Sequence, residues 1–150
     1  MSFFNSMNIS ASGLTAQRAR MDIHAQNLAN ADTTRTAEGG PYMRRVVVFE
    51  ERHDRAEQSF NAIFNRAMGR QPGGQGVRIH SIITDDAPGP QVFDPGHPDA
   101  DANGFVSRPN VNIINEMVNM ISASRSYEAN ITSMNITRAM MNRTLEISGR

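Results

Sequence analysis

A 4-3 alternation runs for ten positions through residues 112–148: Ile113, Met117, Met120, Ser124, Tyr127, Ile131, Met134, Arg138, Met141 and Leu145. That spacing is the seam of packed α-helices. At 1.5 Å per residue it predicts a helix about 55 Å long. A chain of 150 residues cannot cover such a helix with one small globular core. Ile114, Val118 and Ile121 add a second apolar stripe near its start, and Gly149 is the expected stop.

A shorter seam opens the chain. Met7, Ala11, Leu14, Met21, Ala25 and Leu28 repeat the alternation over residues 5–30, with Arg18 at the one missing position. Ser6 or Asn8 is the expected cap, and Asn30-Ala31-Asp32-Thr33-Thr34 the expected stop. Gly13 inside this pattern costs about 1 kcal/mol of helix propensity relative to Ala; a close helix-to-helix contact would justify it. The C-terminal helix is rich in Asn at 112, 115, 119, 130, 135 and 142. Asn is a poor helix former. It suits a helix with neighbours on several sides, whose register is fixed by polar pairs; a solvated polar face is the plainer alternative.

Residues 35–110 differ in kind. Residues 35–109 carry nine Arg and ten Asp or Glu, set among Gly and Pro. Strands are predicted within Arg44–Glu51, Val77–Thr84, Gln91-Val92-Phe93 and Phe105-Val106-Ser107. Phe60, Ile63, Phe64 and Met68 have the spacing of a short helix. The predicted fold is therefore α+β: long N- and C-terminal helices packed as a coiled-coil-like pair, with a small β-rich domain inserted between them. The expected boundaries are 1–34, 35–110 and 111–150.

Composition narrows the function classes. Only 39% of the residues are hydrophobic, ten are Met and none is Trp, which favours adaptable packing surfaces over a large core. The formal net charge is zero and every basic residue is Arg. Acids and Arg are interspersed, so no basic face for nucleic acid is visible. With no Cys, disulfides, Cys-ligated zinc and thiol nucleophiles are excluded. The start, Met1-Ser2-Phe3-Phe4-Asn5-Ser6, has neither a basic region nor an apolar run, so no ordinary secretory signal is expected.

No reactive cluster emerges from the motifs. His24, His53, His80 and His97 do not pair at a metal-ligand spacing, and His24 is expected on a polar helix flank. Asp99-Ala100-Asp101-Ala102-Asn103-Gly104 mimics the start of a calcium loop, but its twelfth position is Asn110 and Pro98 and Pro109 flank it. A polar turn between strands is expected there. Asp85 and Asp86 would point to opposite faces of a strand end, a poor acid-base couple. Ser122, Ser124 and Ser126 have no convergent His, and the glycine clusters lack the Lys-Ser or Lys-Thr of a phosphate loop.

Three stretches carry a family resemblance. The first is Gly13-Leu14-Thr15-Ala16-Gln17-Arg18-Ala19-Arg20-Met21-Asp22, continuing through Asn27-Leu28-Ala29-Asn30-Ala31-Asp32-Thr33-Thr34. The second is Asp94-Pro95-Gly96-His97-Pro98-Asp99-Ala100 with Gly104-Phe105-Val106. The third is Pro109-Asn110-Val111-Asn112, then Glu116 to Ile121, then Ser124 to Asn130. Together they resemble the flagellar axial proteins, the family of rod, hook and hook-associated subunits, and among these the proximal rod members most.

The resemblance implies a structural subunit of the periplasmic rod, exported through the flagellar type III apparatus. It implies as partners the other rod proteins, the rod-base adaptor and further copies in a helical array, and neither nucleic acid nor a small-molecule substrate. The expected assembly interface is the N-terminal seam with Arg18 and Asn30, and the C-terminal seam apart from Ser124. No catalytic, cofactor-binding or metal residue is expected. Two other readings fit the residues: a cytosolic coiled-coil adaptor with an unrelated β insert, and a small hydrolase using Asp85, Asp86 and His97.

Overall fold

The computed structural model describes residues 3–52, 64, 68 and 75–148. Helix α1 spans Phe3–Ala29, and helix α2 spans Ile113–Ser148. Between them lie β1 (Arg45–Glu51), β2 (Val77–Thr84), β3 (Gln91–Phe93) and β4 (Phe105–Ser107). The strands form two two-stranded sheets, β1 with β2 and β3 with β4. This is the expected α+β layout. The predicted helix around Phe60, Ile63, Phe64 and Met68, and the stop at Gly149, lie largely outside the described residues.

Local chemistry sets the element ends. The helix α1 begins at Phe3, so Ser6 and Asn8 lie inside it and neither is its cap. Its end follows expectation: the Asn30 side chain donates to the Gln26 carbonyl at 2.9 Å, and the Thr33 hydroxyl to Asn30 Oδ1 at 3.2 Å. At the start of α2, Asn112 Oδ1 accepts the Asn115 N–H at 3.0 Å, the geometry of an N-cap. The β3–β4 pair is antiparallel, with Gln91 opposite Ser107 and Phe93 opposite Phe105. Between these strands Gly104 has φ +80°, and a Cβ there would stand 2.9 Å from the Phe93 ring. Only glycine fits that turn without strain.

The described chain divides into two compact units. The first comprises 1–17, 49–80 and 125–150; the second comprises 18–48 and 81–124. In the first, a Cβ on Gly13 would meet Asn130 Oδ1 at 2.9 Å and its Cγ at 3.1 Å. This is the close helix-to-helix contact expected from a glycine at that place. Nearby, the Ser12 hydroxyl donates to the Ile9 carbonyl at 2.7 Å and accepts the Val77 N–H at 3.1 Å, which ties the start of β2 to α1. In the second unit the β3–β4 hairpin carries an edge-to-face Phe93–Phe105 contact with centroids 5.3 Å apart.

Apart from Ile23, what the helices bury is small or polar. Ser10, Ala16, Ile23, His24 and Asn27 are buried on α1, and on α2 Glu116, Ala123 and Thr137. Glu116, Ala123, Asn130 and Thr137 recur every seven residues, a heptad stripe that includes no large apolar side chain. Other large apolar residues point elsewhere: Ile114 is 72% exposed and Ile147 79%.

Candidate functional site

The second unit contains a buried polar node built on Asn27 and Glu116, both fully buried. Helix α1 supplies His24 and Asn27, one turn apart. Helix α2 supplies Glu116 from its first turn, where an acidic side chain also complements the helix dipole. The segment leading into β1 supplies Tyr42 and Arg44, and β1 itself opens with Arg45. Glu116 Oε2 lies 2.6 Å from His24 Nδ1 and accepts from Asn27 Nδ2 at 3.0 Å. Its other oxygen accepts from Arg44 Nε at 2.7 Å. An ionised carboxylate only accepts, so the histidine ring donates from Nδ1. Burial alone pushes the Glu116 carboxyl up; the bonds from Asn27, His24 and Arg44, with the Arg44 charge, outweigh it and hold the carboxyl below the ordinary range.

Asn27 uses its full hydrogen-bonding capacity. Its amide donates to the Arg45 carbonyl at 2.8 Å as well as to Glu116. Its oxygen accepts the Tyr42 hydroxyl and the Arg45 N–H, each at 2.9 Å. Burial raises the Tyr42 phenol above its usual value, with Arg45 opposing the shift and Glu116 adding to it. Asn110 acts similarly one residue earlier. It accepts the Arg44 N–H at 2.7 Å and donates to the carbonyls of Asp85 at 2.7 Å and Ala87 at 3.0 Å. Side-chain amides therefore complete the backbone bonding of residues 44 and 45.

A second tie joins the segment after α1 to the β3–β4 loop. The Thr34 hydroxyl donates to Asp99 Oδ2 and Arg35 pairs with Asp99 Oδ1, both at 2.8 Å. Asp101 Oδ1 accepts the N–H groups of Asn103 and Phe105 at 2.8 Å each. The calcium-like sequence is thus a polar turn whose two carboxylates are held by the chain itself. Among the described residues no three His, Asp or Glu gather as a metal site. Asp85 and His97 line different clefts.

The expected interface residues are not the ones the chain buries. Met7, Leu14, Met21, Leu28 and Asn30 on the N-terminal side are half-buried, and Ala11, Arg18 and Ala25 are exposed. On α2, Met120, Tyr127, Met134 and Met141 are half-buried, while Ile113, Met117, Ile131, Arg138 and Leu145 are exposed. Sequence reasoning missed the node. His24, expected on a polar flank, is buried against Glu116. The available signal was polar: His24 and Asn27 one turn apart, and a lone acid in an otherwise uncharged start of α2.

The three stretches that carried the resemblance meet in this unit, through Asn27 and Thr34, through Asp99, and through Asn110 and Glu116. Comparison with known proteins agrees. Residues 7–35 match the family described as flagella basal body rod protein, and residues 102–147 the C-terminal family of flagellar basal body rod FlgEFG proteins. The flagellar basal-body rod protein FlgC of Bacillus subtilis is 46% identical, with 98% of this chain and 99% of the relative aligned. The chain belongs to the FlgC family. FlgC of Borreliella burgdorferi is 43% identical and that of Salmonella typhimurium 42%, each with 98% of both chains aligned. A FlgC-family chain is a structural rod subunit of the flagellar basal body. No described helix is long and apolar enough to cross a membrane.

Proposed function

We propose that this chain is a subunit of the proximal rod that does no chemistry and joins a helical axial array through helix faces its own fold leaves open. Residues 1–34 and 111–150 form the axial part, and 35–110 the insert. The array carries motor torque and surrounds the export channel; its neighbours are other rod proteins, the rod-base adaptor and further copies. The chain reaches that place through the flagellar type III apparatus. The two seams, with Arg18, Asn30 and Arg138, are the assembly residues, and the arginines fix axial register.

One observation carries this reading. Ile23 apart, the helices bury small and polar side chains, while Ile113, Ile114, Met117, Val118 and Ile121 stand exposed within nine residues. Contiguous apolar surface of this kind marks an interaction face. Contacts between unlike surfaces that do not close by rotation build open helical arrays. Ile131→Asp tests the proposal. The residue is 37% exposed, and circular dichroism of the isolated variant separates lost folding from lost assembly; a charge placed in a packed interface costs several kcal/mol. Cells with this variant should be non-motile and their basal bodies should lack the chain. Normal incorporation would refute the proposal.

A further inference from the structure

We infer that the exposed start of α2 receives the first turns of α1 from a second copy of this chain. The inference rests on the assembly reading above and gives it one specific contact. The receiving face lies within the second unit. Ile113, Ile114, Met117, Val118 and Ile121 are all exposed there within nine residues. Beside them is a cleft of about 320 Å³ whose wall includes the amides of Asn110, Asn112, Asn115 and Asn119, with Val118 joining the cleft to the apolar stripe. Arg44, Asp85 and Glu116 also line it, and Arg44 pairs with both acids, at 2.7 Å from Glu116 and 3.9 Å from Asp85.

The face lacks unpaired charge. Residues 109–124 include one ionisable side chain, Glu116, and that one is buried and spent on His24, Asn27 and Arg44. A charged segment laid on such a face would lose its hydration with nothing to replace it. The matching occupant is therefore uncharged, apolar in part, and able to bond amides.

This chain contains such a segment. Residues 2–17 have no charged side chain, in a chain where one residue in five is charged. Phe3 and Phe4 are exposed there, Phe4 by 70%, and Asn5 and Asn8 sit among Ser residues. The aromatic rings suit the aliphatic stripe, and the Asn and Ser groups suit the amide-lined cleft. Donor and acceptor are different surfaces, so the contact is heterologous and each copy keeps one of each free for the next.

The absence of Cys makes the contact directly testable. Phe4→Cys and Val118→Cys chains are produced together in cells lacking the unaltered chain, and isolated basal bodies are oxidised. The expected result is a disulfide-linked dimer when both variants are present and none with either alone. Dimers from one variant alone would mean a symmetric contact and overturn the inference. A link to a different protein would overturn the choice of a second copy. Rods that hold both variants and give no link would overturn the contact while leaving the assembly reading intact. Charge exchange gives an independent readout. Phe4→Lys and Val118→Asp should each cut incorporation at least tenfold, and the double variant should recover it; no recovery would also overturn the inference.

Discussion

The two units hold their helices by opposite means. In the first, Gly13 carries no side chain where a Cβ would stand 2.9 Å from Asn130 Oδ1. In the second, Glu116 brings a charge inside and is surrounded by donors. A close approach can adjust, because Asn130 is the end of a flexible side chain. A buried charge cannot, because each lost partner leaves it without water to turn to. The second unit should therefore be the more brittle one.

The largest effect is expected from removing Glu116. Glu116→Ala leaves Asn27 buried with an unpaired donor and strips Arg44 of its main partner. Breaking one side of a buried pair costs about 3 kcal/mol. Hydrogen exchange should quicken across 18–48 and 81–124 and much less across 1–17 and 125–148. Equal quickening in both units would end the contrast.

A smaller effect is expected at the glycine. Gly13→Leu forces a side chain into Asn130, at a cost of about 2 kcal/mol by overpacking. Gly13→Ala combined with Asn130→Ala should relieve the clash and gain helix propensity, about 1 kcal/mol relative to glycine. Thermal unfolding of the single and double variants distinguishes these outcomes. If the double variant is no more stable than Gly13→Ala alone, Asn130 is not what requires the glycine.

Acid should separate the units more gently. Glu116 is held below its unfolded-state value, so the unfolded chain takes up its proton first as pH falls. The node's stability is full above the ordinary carboxylate range and is lost as pH drops through the lowered value. In the first unit Glu50 is also held low, chiefly by its hydrogen bond from Arg78, but it is only half-buried and solvent screens it. A pH series of hydrogen exchange should show 18–48 and 81–124 loosening first. The smallest effect belongs to Asp99→Ala, which loses the Thr34 and Arg35 contacts, about 1 kcal/mol. Titration calorimetry should show no calcium-dependent heat in either the variant or its parent.

Much of the fold was legible in the sequence, and the phase of its packing was not. Both helices appear within two residues of the expected bounds, and all four strands fall within the predicted segments. Periodicity shows that a face needs cover and is silent about what covers it. On α2 the apolar period alternates between exposed Ile113, Met117 and Ile131 and half-buried Met120, Tyr127 and Met134, and it runs beside the stripe of Glu116, Ala123, Asn130 and Thr137. A stripe of small and polar residues has almost no hydrophobic signature, so it cannot compete with Ile and Met in a search for amphipathicity. The node stayed hidden for the same reason. Asn27 and His24 look like a solvated flank until a carboxylate 89 and 92 residues away is brought against them.

Asn27 also has a consequence for how β1 meets its surroundings. The N–H and carbonyl of Arg45 are both engaged by one side-chain amide. At that rung the amide stands in for a neighbouring strand. A real third strand would bring a free edge of its own, and another chain could pair with it. A side chain from a helix closes the rung and offers no further backbone, so sheet growth stops there.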